Sequence, residues 1–199
     1  ICDKNNILLI FDEVICAFGR LGANTGADAF GVIPDIMTIA KQLTNGAIPM
    51  GAVVAKQKIY NTFMEEGGPD YMLEFPHGYT YSAHPVACAA GLASLTMLKE
   101  GRYIQNVKEL SPYFEYAVHS LKDCSLTTDI RNYGFAAGLT IDALPNEPAR
   151  RPFEIAMRMW RKGFYVRYSG ATIQLALPFT ANKEDIDSLI NALGESING

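Results

Sequence analysis

Two residues with reactive side chains each follow a short apolar run. Lys41 follows residues 36–40, and Asp12 follows residues 7–11, 29 positions earlier in the chain. Apolar runs of this length are typical of strands buried in a parallel sheet, and ligands bind such sheets at the carboxyl ends of the strands. The sequence therefore predicts an amine, a potential nucleophile, and a carboxylate at one edge of a sheet.

Each of the two residues also fits a structural role when it is considered alone. Lys41 could be a surface lysine that closes a strand, and Asp12 could be a helix N-cap. The loop after Lys41 ends in Asn45 and Gly46, residues that favour tight turns. The position of each residue in the sequence does not by itself distinguish a structural role from a chemical one.

The elements that would position these residues form an α/β core in the first half of the chain. A third apolar run covers residues 50–55, and together the three runs predict a parallel or mixed sheet buried on both faces. A Gly-rich connection at residues 19–26 and a helical turn at 27–30 follow the first run. Residues 66–80 predict an extended segment over the site, and Pro85 begins a helix that reaches residue 98.

The second half of the chain has a different pattern and predicts a smaller α+β domain. Its expected elements, in order, are a helix at 103–122, strands at 128–134 and 136–142, a helix at 152–162, strands at 164–168 and 172–177, and a helix to residue 197. Asn182 is the expected N-cap of that last helix. We therefore predict one domain over residues 1–100 and another over residues 101–199.

Composition narrows the class of protein. The chain has 199 residues and a net charge of -4, with its 17 Lys and Arg scattered, so it predicts no nucleic-acid surface. Its four cysteines fit neither a zinc ribbon nor a disulfide framework, and three histidines without acidic partners predict no metal site. No signal sequence or apolar membrane span is evident, which favours a soluble cytoplasmic protein. Because the chain begins within a βα unit, we expect it to be the C-terminal part of a longer protein.

Several spaced motifs resemble the class III pyridoxal-phosphate (PLP) aminotransferases. They are LIFDEV at 9–14, FGR at 18–20, PD at 34–35, AKQLTNG at 40–46 and PMGA at 49–52. Residues 77–90 and 163–167 are most similar to the branch that uses ω-amino acids such as β-alanine with pyruvate. The resemblance implies fold type I, with the C-terminal part of the large PLP-binding domain followed by the small domain. It also implies transamination with PLP as cofactor, in a homodimer.

The same resemblance assigns roles to six residues. Lys41 matches the catalytic lysine that forms the Schiff base with PLP, and Asp12 matches the aspartate that pairs with the pyridine nitrogen. Val14 matches an apolar contact of the ring. Thr80, with Tyr79 beside it, matches the threonine that reaches the cofactor phosphate from the partner subunit. Arg167 matches the arginine that binds the substrate carboxylate, whereas Arg20 is expected to pair structurally with an acidic neighbour rather than to act in catalysis.

Other functions remain open at this point. Another class III chemistry, such as an aminomutase or a decarboxylating transaminase, would share Lys41 and Asp12. An inactive fragment is a further alternative, because the family's Gly-Ser phosphate loop and ring-stacking aromatic residue belong to the part that would precede Ile1.

Overall fold

The computed structural model describes residues 1–199 and separates into two compact units. Unit 1 comprises Ile1–Phe18 and Ala23–Arg102, and unit 2 comprises Gly19–Gly22 and Tyr103–Gly199. The sequence did not predict that the Gly-rich connection after Phe18 contributes four residues to the second unit.

Unit 1 contains a mixed three-stranded sheet. Its strands are β1 (Ile10–Asp12), β2 (Ile36–Ile39) and β3 (Ala52–Ala55), in that spatial order. β1 runs parallel to β2 and β3 runs antiparallel to it. β1 is shorter than the predicted run, because the amide of Leu9 donates to the carboxylate of Asp35 (2.9 Å). The prediction of an α/β core is confirmed.

The predicted burial of this sheet on both faces is wrong for unit 1. Ile10 is 57% exposed, Val53 is 68% exposed and Val54 is 54% exposed. Runs of apolar residues are buried on both faces only where helices cover both sides of a sheet. Unit 1 alone does not supply that cover.

Three helices complete unit 1. They are α1 (Gly26–Phe30), α2 (Gln57–Glu66) and α3 (Pro85–Glu100). The Thr25 hydroxyl caps α1 by accepting from the amide of Asp28 at 2.9 Å, and Pro85 occupies the first turn of α3 as predicted. The sequence did not predict α2, which has no buried residue. Residues 67–84 are irregular and almost wholly exposed.

Unit 2 packs helices against an antiparallel sheet of four strands with the spatial order β4-β5-β7-β6. Its elements are α4 (Tyr103–His119), β4 (Thr127–Tyr133), β5 (Ala136–Ile141), α5 (Arg150–Arg161), β6 (Arg167–Ser169), β7 (Thr172–Ala176) and α6 (Lys183–Asn198). β6 starts three residues later than predicted. The amide of Phe164 donates to Met159 at 3.0 Å, which keeps the chain against the end of α5.

The core of unit 2 explains why the sheet and helices hold together. Phe114 and Phe135 are fully buried and meet edge to face, with ring centroids 6.0 Å apart. The Asn182 side chain caps α6 as predicted by accepting from the Asp185 amide, and the Asp185 carboxylate accepts from the Asn182 amide in return, which completes a capping box. None of the helices combines the length and apolar character needed to cross a bilayer.

Arg20 anchors the Gly19–Gly22 segment in unit 2. Its guanidinium donates to the carbonyl oxygens of Phe135 and Leu177 and lies 4.7 Å from the centre of the Phe179 ring. Charge-assisted bonds to carbonyls and stacking on an aromatic face are both interactions that favour arginine over lysine. These contacts of Arg20 are structural, and they involve carbonyl oxygens and an aromatic ring rather than the acidic neighbour that the sequence predicted.

Candidate functional site

Asp12 and Lys41 lie at or just beyond the carboxyl ends of neighbouring strands, at the same edge of the unit 1 sheet. Asp12 is the last residue of β1 and stands opposite Thr38 in the parallel pairing with β2. Lys41 follows β2 after a single intervening residue, Ala40. The structure thus brings the amine and the carboxylate to the carboxyl edge of adjacent strands, where ligand sites form.

The backbone at Lys41 is held in an uncommon conformation. Lys41 has a φ of 50°, in the left-handed region, and begins a 3-10 turn that extends to Thr44. Such a conformation costs a residue with a side chain on the order of 1–3 kcal/mol, and it persists only where its surroundings impose it. The Lys41 side chain is exposed and makes no ion pair or hydrogen bond.

Buried neighbours hold this turn in place. Leu43 and Thr44 are buried, and the Thr44 hydroxyl donates to the carbonyl of Ile48 at 2.6 Å. The hydroxyl of Ser94, on α3, donates to the carbonyl of Gln42 at 3.0 Å. The residue after Lys41 is thus tied to a helix, while the lysine amine stays unpaired.

Asp12 has one oxygen engaged and one free. Its Oδ1 accepts from the amide of Val14 at 3.1 Å and from the hydroxyl of Thr38 at 3.3 Å. Its Oδ2 accepts no hydrogen bond from the chain and is available to a cationic N–H donor. Val14 is half-buried and lies beside this carboxylate.

Glu13 is a buried residue that sequence reasoning missed. It is only 2% exposed, and its carboxylate accepts from the amides of Gly26 (2.8 Å) and Ala27 (2.7 Å), at the start of α1. Its own amide donates to the Thr38 carbonyl at 2.9 Å, so it fixes the backbone just after Asp12. The available signal was an acid six positions before the Gly-rich connection that leads into a short helix.

Thr80 and Tyr79 lie in the exposed irregular segment of unit 1. Neither forms a hydrogen bond with Lys41 or Asp12, so the structure does not join them to the pair at the sheet edge. Ring contacts link Phe63, Phe75, His77 and Tyr79 in series, with centroids 4.7, 5.5 and 5.5 Å apart. The segment therefore has internal order, although Tyr79 is 79% exposed.

Arg167 lies in unit 2, at the start of β6, and its exposed guanidinium has no hydrogen-bond or ion-pair partner. It borders a cavity of about 460 Å³ between α5 and β6. The other lining residues are apolar or aromatic: Phe153, Ala156, Met157, Trp160, Tyr165, Val166 and Tyr168. A mostly apolar cavity with one cationic group suits an anion that carries an apolar body.

Comparison with known proteins identifies relatives of this chain. The family model described as Aminotransferase class-III matches residues 1–197. The chain is 54% identical over 199 residues to the beta-alanine–pyruvate aminotransferase of Pseudomonas aeruginosa, covering 100% of this chain and 44% of that protein. It is also 54% identical over 198 residues to the omega-amino acid–pyruvate aminotransferase of Pseudomonas putida, again covering 100% of this chain and 44% of that protein.

Solved structures show the same relationship. An amine transaminase from an uncultivated Pseudomonas species, in the PLP-bound (internal aldimine) form, matches with a TM-score of 0.90 and 33% identity. That match covers 98% of this chain and 45% of the solved chain. The chain therefore spans less than half the length of the relatives it matches.

The contact between Gly26 and Glu13 gives a prediction about the site's scaffold. A methyl group at position 26 would lie 2.8 Å from Oε1 of Glu13, so Gly26→Ala must displace the buried carboxylate. We expect a loss of about 1–3 kcal/mol in the free energy of unfolding, measured by denaturant titration. The control is Gly78→Ala, because its nearest neighbouring atom is 3.9 Å away. Equal stability of the two variants would contradict the prediction.

Proposed function

Because this chain belongs to the class III aminotransferase family, we propose that the protein containing it is a PLP-dependent aminotransferase. In this proposal it moves an amino group between an ω-amino acid or primary amine and a keto acid such as pyruvate. The observation that carries the proposal is the unpaired amine of Lys41 beside the half-engaged carboxylate of Asp12 at one sheet edge. The reaction class also agrees with the beta-alanine–pyruvate and omega-amino acid–pyruvate relatives.

The residues at the sheet edge fit PLP chemically. The cofactor has an aldehyde that needs a free amine, a ring nitrogen that needs an anion, and ring faces that need apolar contact. Lys41 has a free amine, and Asp12 has a free carboxylate oxygen. Val14, half-buried next to Asp12, supplies apolar surface.

PLP, when bound, captures the substrate's amino group through its aldehyde and draws electrons from the carbon that bears that group. Lys41 would hold the cofactor covalently, and its amine, once released, would move a proton to and from the reacting carbon. Asp12 would hold the ring nitrogen in its protonated form, because a carboxylate favours a cationic partner. Its bonds to the Val14 amide and the Thr38 hydroxyl orient the carboxylate for that task.

Thr80 and Tyr79 are proposed to serve the cofactor phosphate of a second subunit. Both lie in an exposed segment and are unattached to the Lys41 edge of their own unit, which supports a role across a homodimer. A hydroxyl and a backbone amide bind phosphate without adding charge. We also propose that residues 1–100 are the C-terminal part of the PLP-binding domain, that residues 101–199 form the small domain, and that the enzyme is cytoplasmic.

Arg167 is proposed to bind the carboxylate of the amino donor. Its guanidinium is exposed and unpaired, and a guanidinium can hold a carboxylate through two parallel hydrogen bonds. The aromatic walls of the adjoining cavity would also accept the apolar part of a donor that has no carboxylate.

The first prediction of the proposal concerns Lys41. Borohydride treatment of the complete enzyme with PLP should fix the cofactor to the peptide that contains Lys41, as detected by mass spectrometry. Lys41→Ala should give no such adduct, because no amine remains at that position. The control, Lys4→Ala, alters an exposed lysine of the short 3-10 helix that precedes β1 and should behave as wild type. An adduct in the Lys41→Ala variant would refute the assignment.

The second prediction concerns donor choice. Arg167→Leu should lower kcat/KM for β-alanine by about 10–100-fold, since a hydrogen bond to a charged group is worth about 1.5–3 kcal/mol. The value for 1-phenylethylamine, which has no carboxylate, should change only a few-fold. Arg161→Leu removes an exposed, unpaired arginine of α5 and serves as the control. Equal losses for both donors would contradict the role of Arg167.

The third prediction tests the shared site. Lys41→Ala and Thr80→Ala are each expected to form weakly active or inactive homodimers. Mixing them under subunit-exchange conditions should restore activity, because a heterodimer then has one site with an intact Lys41 and an intact partner Thr80. A mixture no more active than the sum of the two separate variants would show that Thr80 does not act across the dimer.

A further inference from the structure

Asp35 is a buried carboxylate to which the proposed reaction gives no task. It is only 3% exposed and immediately precedes β2, at the end of the strand opposite Lys41. Burying a carboxylate is costly unless it is paired and hydrogen-bonded. Its position and its partners therefore need a physical explanation.

The Asp35 side chain binds groups from both neighbouring strands. One oxygen accepts from the amide of Leu9, just before β1, at 2.9 Å. The other lies 3.1 Å from Nζ of Lys56 and 2.8 Å from Nζ of Lys58, both just beyond β3. One carboxylate thus connects the residue just before β1 to two residues just after β3.

The backbone of Asp35 strengthens the same junction. Its amide donates to the carbonyl of Leu9 at 2.8 Å, and its carbonyl accepts from the amide of Lys56 at 2.9 Å. Together with the side-chain bonds, these contacts fix all three strands at one end of the sheet. The Lys58 ammonium, the Leu9 amide and the Lys56 ammonium hold the pKa of the Asp35 carboxyl well below its usual range, so the carboxylate stays ionised.

The alignment fixed at that end determines the geometry at the other end. From Asp35, the parallel pairing proceeds through Ile10 with Ile36 to Asp12 with Thr38. A shift of one residue between β1 and β2 would turn every side chain to the opposite face. It would also separate Asp12 from the Thr38 hydroxyl that it accepts from at 3.3 Å.

We propose that Asp35 is a positioning residue for the site: by clamping β1, β2 and β3 at their shared end, it sets where Asp12 and Lys41 stand relative to each other. The inference rests on the proposed roles of Asp12 and Lys41 in binding PLP. According to this inference, the Asp35 carboxylate affects how Asp12 and Lys41 are positioned to bind the cofactor, as well as the stability of the fold.

The first test uses hydrogen exchange in the complete enzyme without cofactor. The reporter is the Glu13 amide, which donates to the Thr38 carbonyl at 2.9 Å at the far end of the β1–β2 pairing. Asp35→Asn should speed exchange of this amide by about 10-fold or more relative to the amides of α3, because the pairing loosens along its length. Faster exchange confined to residues 7–9, 35–36 and 54–58 would overturn the proposal.

Two control variants separate positioning from general effects. Asp28→Asn removes an exposed acid of α1 and should leave the Glu13 amide unchanged. Val107→Ala cuts a fully buried side chain in unit 2, and should lower the melting temperature without a selective effect on Glu13 exchange. A selective effect of Val107→Ala would mean that the reporter follows global stability, which would also count against the proposal.

The second test measures the cofactor. Asp35→Asn should raise the dissociation constant of PLP by about 10-fold or more and shift the pH midpoint of the visible absorption band, since a displaced Asp12 would make a weaker charge-assisted bond to the cofactor. Val107→Ala should change neither. A fold destabilised by Asp35→Asn with wild-type PLP affinity, pH midpoint and Glu13 exchange would make Asp35 purely structural and would refute the inference.

A milder variant covers the case in which Asp35→Asn does not fold. Lys58 is 61% exposed, and Lys58→Gln leaves Asp35 its bonds to Leu9 and Lys56. It should shift Glu13 exchange in the same direction by a smaller factor, and no shift would contradict the proposal. If wild-type enzyme fails to bind PLP, the proposed function is wrong, and Glu13 exchange still decides the role of Asp35.

Discussion

The parallel pairing of β1 with β2 is the constraint on which the candidate site depends. It sets Asp12 opposite Thr38 and leaves Lys41 two residues beyond the end of the neighbouring strand. The two side chains lie 29 positions apart in sequence, and only this pairing brings their strand ends to a common edge. Strand register is a discrete property, because a slip of one residue turns every side chain to the opposite face of the sheet. The site geometry is therefore either imposed by the pairing or lost with it.

Two buried carboxylates secure this pairing at its two ends, and they do so by different chemistry. Glu13, next to Asp12, accepts hydrogen bonds from the amides of Gly26 and Ala27 at the start of α1. Asp35, at the far end, is neutralised by two lysine ammonium groups and one amide. A buried charge is stable only when its surroundings satisfy it fully, so each acid fixes the positions of its partners. Both acids thereby restrict the backbone that carries Asp12 and Lys41.

The sequence was sufficient to predict the features that depend on local pattern. The apolar runs before Asp12 and Lys41 predicted β1 and β2, and Asn182 predicted the start of α6. It could not predict the partners of Glu13 or Asp35, because these bonds join residues 13 to 26 positions apart that meet only after folding. β6 also began later than expected, since the contact of Phe164 with the end of α5 outweighed the strand propensity of its aromatic residues.

The two buried acids and the candidate site residues differ in their hydrogen bonding. Glu13 and Asp35 are buried and fully bonded, whereas the Lys41 amine and the Arg167 guanidinium are exposed and unpaired, and Asp12 keeps one free oxygen. The strained φ of 50° at Lys41 adds a cost that the buried Leu43 and Thr44 offset by anchoring the turn. An unpaired amine on a strained backbone gives no stability by itself. In the proposed function, the three free groups bind ligand, and the two buried acids hold the strands that present Asp12 and Lys41.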